Sequence, residues 1–599
     1  MTDSAPLKTR YRDAGCGQLD ASWADRDAVV AGWVHRRRDL GGLYFVDIRD
    51  RTGLLQLSFG DWTDESSLNL LADLNPEDVI QARGIVGRRP AAAINPGMST
   101  GEVELQVAHL DRLSVSEPLP ILVYQPPEEE LPSDELRLQH RVLDLRRPEM
   151  QHNLRLRHVV TDATRASLTE QGFLEVETPL LTRQTPEGAR DYIVPSRMHQ
   201  GRFFALPQSP QLYKQLLVTG GCDRYFQIAK CLRDEDLRAD RQPEFTQIDI
   251  EMAFVEQEDV FEMAERMFTR IWSDGLGEEL ETPFAHLPHA EALERYGTDK
   301  PDLRIPWELI DLTDVLTGIG FGIFDGAASA GGRIRGFVAR GGAALSRSRV
   351  DHYNERAQEA GAKGALWLKR TSEGWSGAPA RFVGEETAAE LVALTGIDEG
   401  DILFIVAGPD HESNPALDVL RRYVARELDA VAEDESRWLW ITEFPLFEKD
   451  WDTGEIAPAQ HAFTMPVNPD PALIAEDPLS VTAHAYDIVY NGMEFGSGSI
   501  RCHYPDVQRA ILSAIGLTPQ QIEARFGFLL EAFRYGVPPH GGVAVGLDRL
   551  VAVMAGSTSI RDVIAFPKTA AARGLLEGSP STVEPEELAE LGIRIDPQG

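Results

Sequence analysis

The sequence has 599 residues, a formal net charge of −36 and 43% apolar residues, a composition ordinary for a globular protein and a length that suits about four folding units. The acidic charge argues against nucleic-acid binding through charge alone, although the basic patch Arg36–Arg38 leaves room for a nucleic-acid partner. There is no apolar run near the ~18 residues of a membrane helix, no signal-peptide core and no paired spacing among the four cysteines, so we expect a cytoplasmic protein without membrane attachment, zinc site or disulfide scaffold.

Residues 1–115 are predicted to form a β-barrel. Short alternating stretches such as AVVAGWVHRRR and EVELQVAHLDRLSV are separated by turns, a pattern typical of a five-strand OB fold that binds single-stranded nucleic acid on one strand face. Arg38, Phe45 and Gln56 supply a charge, an aromatic ring and an amide, which together suit an unstacked base. On spacing alone, Phe45 would be better explained as barrel core.

A proline-rich acidic stretch over residues 116–139 predicts a stiff linker. Residues 140–282 begin with helices that are divided at Pro148 and form the first part of a second domain. Within this part, a helix that begins near Pro210 carries Gln211 and Lys214 three positions apart on one face. They lie at the positive helix end, where a carboxylate is favoured.

The stretch from Arg224 to Phe254 predicts two strands joined by a charged loop. On the second strand Gln247, Asp249 and Glu251 share one face, and the residues between them are apolar. A buried sheet tolerates such a polar face only where the face lines a cavity. Arg233 ends the first strand, where its guanidinium is suited to bind a phosphate or carboxylate with two hydrogen bonds.

Residues 283–429 interrupt this pattern. They are rich in glycine and alanine around 318–344 and contain candidate strands such as DILFIVAG with helical stretches between them. We interpret them as a compact α+β insertion without a catalytic constellation. The second domain resumes over 430–570, and 571–599 reads as a peripheral C-terminal extension.

The resumed domain contains a strong hairpin signal at Asn491-Gly492. A two-residue turn there pairs Val489 with Glu494 and places Asp487 diagonally across from Glu494 on the same face. Two close carboxylates repel each other unless a cation lies between them or one is protonated, and Mg²⁺ would serve as that cation.

Two further arginines follow this hairpin. Arg501 comes after a run of small residues, and its guanidinium is suited to bind a side-chain carboxylate. Arg549 lies in the first turn of a helix that begins after Gly546, near the positive helix end, where a phosphate or an adenine would fit.

These motifs resemble those of the class II aminoacyl-tRNA synthetases. Residues 233–235 with the loop through 241–245 resemble motif 2, GFLEVETPLL at 172–181 resembles motif 1, and the Gly-Leu-Asp-Arg run at 546–549 resembles motif 3. The barrel segment GWVHRRRDLGGLYFVDIRD, the run to Phe254 and the place of the insertion are similar to the bacterial aspartyl-tRNA synthetase family of subclass IIb, and the similarity covers nearly the whole chain. It implies a multidomain α+β fold with an N-terminal OB-fold β-barrel, a class II antiparallel-sheet catalytic domain and an inserted α+β GAD-type domain.

The resemblance implies that the protein is an enzyme that activates L-aspartate with ATP to aspartyl-adenylate and transfers the aspartyl group to the 3′ end of tRNA(Asp), as a homodimer formed through motif 1. Arg233 is the implied catalytic residue. The positions that match aspartate-binding residues are Glu187, Gln211, Lys214, Arg233, Gln247, Asp249, His461 and Arg501. The positions that match ATP-binding residues are Arg233, Asp234, Glu235, Gln242, Glu494, Gly546, Leu547, Asp548 and Arg549. Mg²⁺ is implied at Asp487 and Glu494, and the anticodon of the tRNA at Arg38, Leu40, Phe45, Gln56 and Glu104.

The chain departs from the family at one motif. Bacterial members usually carry two adjacent histidines before Pro-Phe-Thr, whereas this chain has Gln460-His461-Ala462. Glutamine can replace a hydrogen bond of the first histidine but not its charge.

Three alternatives to this interpretation remain open. The first is an enzyme that charges tRNA(Asn) as well, although Leu40 occupies a family position whose residue type relates to this discrimination, and leucine there favours tRNA(Asp) only. An asparaginyl- or lysyl-tRNA synthetase shares the architecture, but Arg501, Lys214 and the insertion argue against both. A non-catalytic OB-fold nucleic-acid-binding protein has no need for Arg233, Glu494 and Arg549.

Overall fold

The computed structural model describes residues 8–39, 41, 43–125, 129–184, 189–235, 241–432, 434–451 and 453–596. Two of the predicted site residues, Leu40 and Glu187, lie outside the described residues. The chain forms two compact units, one of Met1–Leu154 with Gly574–Gly578 and one of Arg155–Arg573 with Ser579–Gly599.

The first unit contains a closed five-strand barrel in the order β1-β2-β3-β5-β4, as the sequence predicts. Alternate residues such as Val46 and Ile48 fill the barrel core, and Phe45 before them and Asp47 between them are half-buried. This alternation follows from the two-residue period of a strand. The elements of this part are β1 (Asp27–Asp39), β2 (Tyr44–Asp50), β3 (Gly53–Phe59), α1 (Glu65–Ala72), β4 (Val79–Arg88), β5 (Val103–Ser114), α2 (Asp134–Gln139) and α3 (Arg141–Asp144). The next helix, α4 (Pro148–Glu170), begins in this unit, and most of its length belongs to the second unit. Helix α4 begins at Pro148, which confirms the predicted division there.

The second unit is built on an eight-stranded sheet in the order β11-β17-β20-β21-β22-β10-β9-β6. Its strands are β6 (Leu174–Glu175), β9 (Arg224–Leu232), β10 (Glu244–Ala253), β11 (Ala285–Pro288), β17 (Trp438–Thr442), β20 (Ala485–Tyr490), β21 (Met493–Ile500) and β22 (His540–Gly546). Neighbouring strands are antiparallel except for the outer pairs β6–β9 and β11–β17, which are parallel. The predicted boundary at 283 is therefore a few residues early, because the four-residue strand β11 pairs with β17 in this sheet.

One face of the sheet is apolar and carries the main core. Ile248, Ile250 and Met252 of β10 pack there against helices α4, α6 (Gln257–Leu276) and α16 (Leu547–Met554). The opposite face holds the polar residues of β10 and contacts α5 (Gln211–Thr219), which packs on α15 (Pro519–Phe533). The predicted division of β10 into an apolar and a polar face is confirmed.

Shorter elements surround this sheet. They are β7 (Ile193–Pro195), β8 (Phe203–Ala205), α7 (His289–Tyr296), β18 (Phe447–Lys449), β19 (Ile456–Pro458), α13 (Pro471–Glu476), α14 (Pro505–Ala514) and α17 (Pro585–Leu591). Within the described ranges, no helix combines the length and the low polarity needed to span a lipid bilayer.

The insertion has a five-stranded sheet of its own in the order β12-β13-β16-β14-β15. The strands are β12 (Ile310–Asp311), β13 (Arg333–Ala339), β14 (Leu366–Thr371), β15 (Gly374–Ser376) and β16 (Ile402–Gly408). The helices are α8 (Thr313–Leu316), α9 (Gly322–Ser329), α10 (Arg347–Glu359), α11 (Glu385–Thr395) and α12 (Asp410–Glu427). Helices α10 and α12 cover one face, and α8, α9 and α11 cover the other, each with its own apolar core. The predicted α+β character is confirmed.

Candidate active site

The polar face of the eight-stranded sheet borders a cavity of about 930 Å³. Its walls come from β10, β20, β21 and β22, from helix α5 and from residues 456–463. Arg233, Arg501 and Arg549, which belong to three separate sequence motifs, all line this cavity. A concave site with convergent polar groups is the usual form of a small-molecule site.

Most of the predicted ligand-binding residues meet in this cavity. The aspartate set lines it through Gln211, Lys214, Arg233, Gln247, Asp249, His461 and Arg501. The ATP and metal sets line it through Arg233, Glu235, Gln242, Asp487, Glu494, Gly546, Asp548 and Arg549. Asp234 and Leu547 are not among its lining residues.

A network of buried ion pairs forms the base of the cavity. Arg501 donates from Nε and Nη2 to the two carboxylate oxygens of Glu251, at 2.9 and 3.0 Å. Lys214 Nζ lies 3.0 Å from Asp249 Oδ1 and 3.4 Å from Glu251 Oε2. All four side chains are at most 2% exposed, so each charge depends on its protein partners for stabilisation.

The surroundings shift the pKa values of Glu251 and Asp249 in opposite directions. Burial alone would raise the pKa of Glu251, but the charges of Arg501 and Lys214 outweigh it and hold that pKa below its ordinary value. Burial raises the pKa of Asp249, and Lys214 offsets this only in part. Arg501, whose own pKa Glu251 raises against the effect of burial, therefore stays charged in a fixed orientation.

His461 contacts the guanidinium of Arg501. Its Nε2 lies 2.6 Å from Arg501 Nη1 and 3.2 Å from the hydroxyl of Ser499, which also accepts a hydrogen bond from Nη1 at 2.8 Å. Burial, together with the charges of Arg501 and Lys214, lowers the pKa of His461 well below its ordinary value. The ring is therefore neutral and leaves the positive charge of the cavity to the arginines and the lysine.

Several buried polar atoms at the cavity have no hydrogen-bond partner in the part of the chain that the structure describes. They are Gln211 Nε2, Arg233 Nε, Asp249 Oδ1 and Gln460 Oε1. Of these, Asp249 Oδ1 has Lys214 nearby as an ion pair without hydrogen-bond geometry. Unsatisfied buried polar atoms are costly, and a bound ligand with both a carboxylate and an ammonium would satisfy both the donors and the acceptors.

Arg233 and Arg549 both line the cavity, and each contacts another residue of its wall. The guanidinium of Arg233 lies over the ring of Phe245, 5.0 Å from its centroid. Arg549 donates from Nη1 to the backbone carbonyl of Glu494 at 2.6 Å. Glu235 also lines the cavity and lies 3.4 Å from Arg241.

The acidic pair lies on the β20–β21 hairpin. Val489 pairs with Glu494 as predicted, but a bulge beyond this pair places Asp487 opposite Ser497. Gln460 Nε2 donates to Asp487 Oδ1 at 2.7 Å. Burial and the nearby Glu494 raise the pKa of Asp487 well above its ordinary value.

This arrangement fits Mg²⁺. The described residues contain no group of three or more side chains that could enclose a metal ion, and Mg²⁺ typically uses one or two carboxylates together with water and substrate phosphates. A divalent cation would also relieve the repulsion that raises the pKa of Asp487.

Four predicted ATP-binding residues either lie off the cavity lining or have side-chain partners within the protein. Asp234 lies beside the cavity, where its backbone N–H donates to Arg190 at 3.0 Å. Leu547 is core, because the first turn of α16 presents it to the sheet. Gln242 and Asp548 line the cavity, but their side chains have partners in the protein.

Those partners make Gln242 and Asp548 part of the framework. Gln242 exchanges two hydrogen bonds with the backbone of Lys568, at 2.8 and 3.2 Å. Asp548 accepts from the backbone N–H of Thr246 at 2.8 Å and from Arg157 at 2.6 Å. Both side chains thus contribute to the shape of the cavity.

Glu251 is a site residue that was not predicted from the sequence. The available signal was its place on the polar face of β10, beside Gln247 and Asp249. Nothing local in the sequence connects Glu251 to Arg501. Asp299 of the insertion was also missed, although it lines the cavity.

The four predicted anticodon residues that the structure describes form one network on the barrel of the first unit. Arg38 donates to Asp47 at 2.7 Å and to Gln56 at 3.0 Å, and its guanidinium lies 5.8 Å from the centroid of Phe45. Gln56 in turn donates to Glu104 at 2.7 Å. The half-buried ring of Phe45 is therefore held beside a charge and an amide on one strand face.

Comparison with known proteins adds family information. Residues 133–570 match the model of the class II tRNA synthetases (D, K and N), and residues 28–113 match the OB-fold nucleic acid binding domain. The chain is 45% identical over 585 residues to an aspartate–tRNA(Asp/Asn) ligase of Bacillus mycoides (strain KBAB4), covering 98% of both chains.

Two solved structures share the fold at low identity. An asparaginyl-tRNA synthetase from Pyrococcus horikoshii, complexed with asparaginyl-adenylate, has a TM-score of 0.58 at 19% identity and covers 93% of this chain and 98% of its own. An aspartyl-tRNA synthetase from Entamoeba histolytica has a TM-score of 0.57 at 19% identity, with coverage of 95% and 94%.

Proposed function

Since this chain belongs to the class II tRNA synthetases of the D, K and N group, and is thus an aminoacyl-tRNA synthetase, we propose that its amino acid substrate is L-aspartate. The observation that carries the proposal is that two buried cations, Arg501 and Lys214, line the same cavity as Arg233 and Arg549. Family membership argues against a non-catalytic nucleic-acid-binding protein.

The hydrogen-bond donors at the base of the cavity favour a side-chain carboxylate. Arg501 and Lys214 present N–H donors only. The amide of asparagine would direct its own N–H groups toward these donors, and the ammonium of lysine would bring a like charge. A buried site built to bind a carboxylate therefore rejects both.

The proposed first reaction needs positioning more than acid–base catalysis. An oxygen of the aspartate α-carboxylate attacks the α-phosphorus of ATP in line, the bond from phosphorus to the pyrophosphate oxygen breaks, and aspartyl-adenylate and pyrophosphate form. Arg233 holds the α-phosphate and the attacking carboxylate together, and Arg549 stabilises the phosphates on the opposite side. Asp487 and Glu494 would hold Mg²⁺, which would neutralise charge on the phosphates.

The remaining cavity residues orient the substrates. Gln211 Nε2 and Asp249 Oδ1 suit the α-carboxylate and the ammonium of the amino acid, because one is a buried donor and the other a buried acceptor. Gln247 completes that wall of the pocket. In the second reaction a hydroxyl at the 3′ end of the tRNA attacks the adenylate carbonyl and AMP leaves.

The tRNA is proposed to be recognised at its anticodon by the barrel face of Arg38, Phe45, Gln56 and Glu104. We propose tRNA(Asp) as the sole tRNA substrate, because leucine stands at position 40. A second candidate, charging of both tRNA(Asp) and tRNA(Asn), is favoured by the Bacillus mycoides relative, which is an aspartate–tRNA(Asp/Asn) ligase. Aminoacylation of the two purified tRNAs separates these candidates, because only the second predicts charging of tRNA(Asn).

The enzyme is further proposed to act in the cytoplasm as a homodimer. The motif 1 segment supports the homodimer, because Leu174, Leu180 and Leu181 are each at least half exposed. An apolar cavity of about 510 Å³ continues from Leu181 to Phe203 and Phe528, and large exposed apolar surfaces mark interaction sites. Light scattering of the purified protein at the mass of one chain would contradict the dimer.

Amino acid-dependent ATP–pyrophosphate exchange tests the proposed substrate. The purified protein is assayed with aspartate, asparagine and lysine in parallel. The proposal predicts exchange with aspartate and at least about 10³-fold lower kcat/KM with the other two, in line with discrimination by buried polar groups. Comparable exchange with asparagine would refute the assignment.

A further inference from the structure

The turn of the β20–β21 hairpin, which carries Asp487 and Glu494, packs directly on the insertion. Asn491 and Gly492 form this turn with φ values of 49° and 78°. A Cβ at position 492 would lie 2.8 Å from the Cβ of Asp302 and 2.9 Å from Nη1 of Arg422. The turn therefore approaches the insertion so closely that position 492 has no room for a side chain.

Arg422 of helix α12 connects the insertion to the turn. All three of its guanidinium nitrogens donate hydrogen bonds, one to the turn and two within the insertion. Nη1 donates to the carbonyl of Gly492 at 3.0 Å, and Nη2 donates to the carbonyl of Lys300 at 2.7 Å. Nε donates to Asp418 on the same helix at 2.9 Å. Because the guanidinium is a rigid planar fork, these bonds fix the turn relative to both α12 and the segment at Lys300.

The neighbouring Arg421 fixes the other side of this contact. It is fully buried and donates to the carbonyls of Asp302 and Trp307, both at 2.7 Å. Residues 302–307 are therefore attached to α12 independently of the hairpin. This segment presents a rigid surface to Gly492.

The same part of the insertion reaches the cavity. Asp299, adjacent to Lys300, is a lining residue together with Asp487 and Glu494. Glu494 lies two positions after Gly492, and its carbonyl accepts the hydrogen bond from Arg549. A displacement of the turn would therefore pass directly to Glu494 and to the contact of Arg549.

We propose that Arg422 is a positioning residue through which the insertion sets the placement of the Asp487–Glu494 pair, and thereby the affinity of the cavity for the divalent cation that accompanies the nucleotide. The inference rests on the proposed function for the identity of that nucleotide. It gives the insertion, whose Asp299 lines the cavity, a specific part in nucleotide binding.

The test compares Arg422→Ala with Arg426→Ala, which removes an exposed arginine four residues later on the same helix. The first readout is hydrogen exchange of the peptide around 490–494 in the ligand-free protein, where Arg422→Ala is expected to lose protection and Arg426→Ala to match the wild type. The second is Mn²⁺ binding in the presence of a non-hydrolysable ATP analogue, followed by EPR. We expect Arg422→Ala to weaken it roughly tenfold, the effect of one lost hydrogen bond from a charged group.

Steady-state exchange gives a third readout. The KM for Mg²⁺ is expected to rise by a similar factor while the KM for aspartate stays unchanged. Arg422→Lys, which keeps the charge and one carbonyl contact, should fall between the wild type and alanine. It replaces Arg422→Ala if that variant does not fold.

The inference would be overturned if Arg422→Ala lost hydrogen-exchange protection at the turn but bound Mn²⁺ as tightly as the wild type. It would also be overturned if the KM values for Mg²⁺ and aspartate rose equally. Gly492→Ala attacks the same contact from the hairpin side and should reproduce the Mg²⁺-specific effect. If the wild type showed no exchange with aspartate, the proposed function would fail, whereas the hydrogen-exchange and Mn²⁺ readouts would still decide the role of Arg422.

Discussion

Replacing Arg501 by leucine should have two separable effects, one on stability and one on substrate activation. Arg501 and Glu251 are joined by two hydrogen bonds at 2.9 and 3.0 Å, and their side chains are 2% and 0% exposed. Removing one partner of such a pair leaves an uncompensated buried charge, which costs about 3–5 kcal/mol. We expect the lower end of this range for Arg501→Leu, because Lys214 lies 3.4 Å from the same carboxylate.

The double variant Arg501→Leu/Glu251→Gln separates the two effects. It removes both charges, so at least half of the lost stability should return. Aspartate-dependent exchange should stay low in both variants, with kcat/KM reduced about 10³-fold, because the guanidinium that binds the substrate side chain is missing in each.

Urea unfolding followed by tryptophan fluorescence measures the stability, and ATP–pyrophosphate exchange measures activation. Arg509→Leu is the matched control, since Arg509 is half exposed, lies 4.0 Å from Glu523 and should change stability by no more than about 0.5 kcal/mol. The reasoning is refuted if the double variant is no more stable than Arg501→Leu, or if it regains exchange with aspartate.

Three further predictions follow from the described contacts. Phe45→Ala should reduce kcat/KM for tRNA aminoacylation by about 10–100-fold, the equivalent of one lost base stack, and should leave pyrophosphate exchange unchanged. Equal losses in both assays would exclude the barrel face as the tRNA site. Asp487→Asn should raise the KM for Mg²⁺ about tenfold or more, since one of two carboxylate ligands is lost, and an unchanged Mg²⁺ titration would exclude the hairpin as the metal site. His461 has a folded-state pKa well below the ordinary value of 6.5, so the unfolded chain binds its proton first and stability should fall as pH drops below 6.5. In thermal unfolding between pH 7 and pH 5, the stability of His461→Gln should therefore decline less than that of the wild type. An equal decline would contradict a neutral buried ring.

The features that the sequence predicted best are those with a local period or turn signal. The two faces of β10 follow from alternation over ten residues, and the pairing of Val489 with Glu494 follows from the Asn491-Gly492 turn. The adjoining bulge was not predictable, because strand pairing decides it.

Long-range contacts account for the rest. Glu251 and Arg501 are 250 positions apart, and Arg422 and Gly492 are 70 apart, so no sequence window contains either pair. The surroundings of Leu547 and Asp548 were not predictable for a related reason. The packing of α16 on the sheet determines which residues of its first turn face inward, and spacing alone does not.

The central claim is that three arginines from separate motifs serve one substrate pair in one cavity. A crystal structure with a non-hydrolysable aspartyl-adenylate analogue tests it most directly. We predict that the analogue lies within the cavity, with its side-chain carboxylate at Arg501 and Lys214 and its phosphate-equivalent group at Arg233. An analogue bound outside this cavity, or one whose side-chain carboxylate points away from Arg501, would contradict the claim.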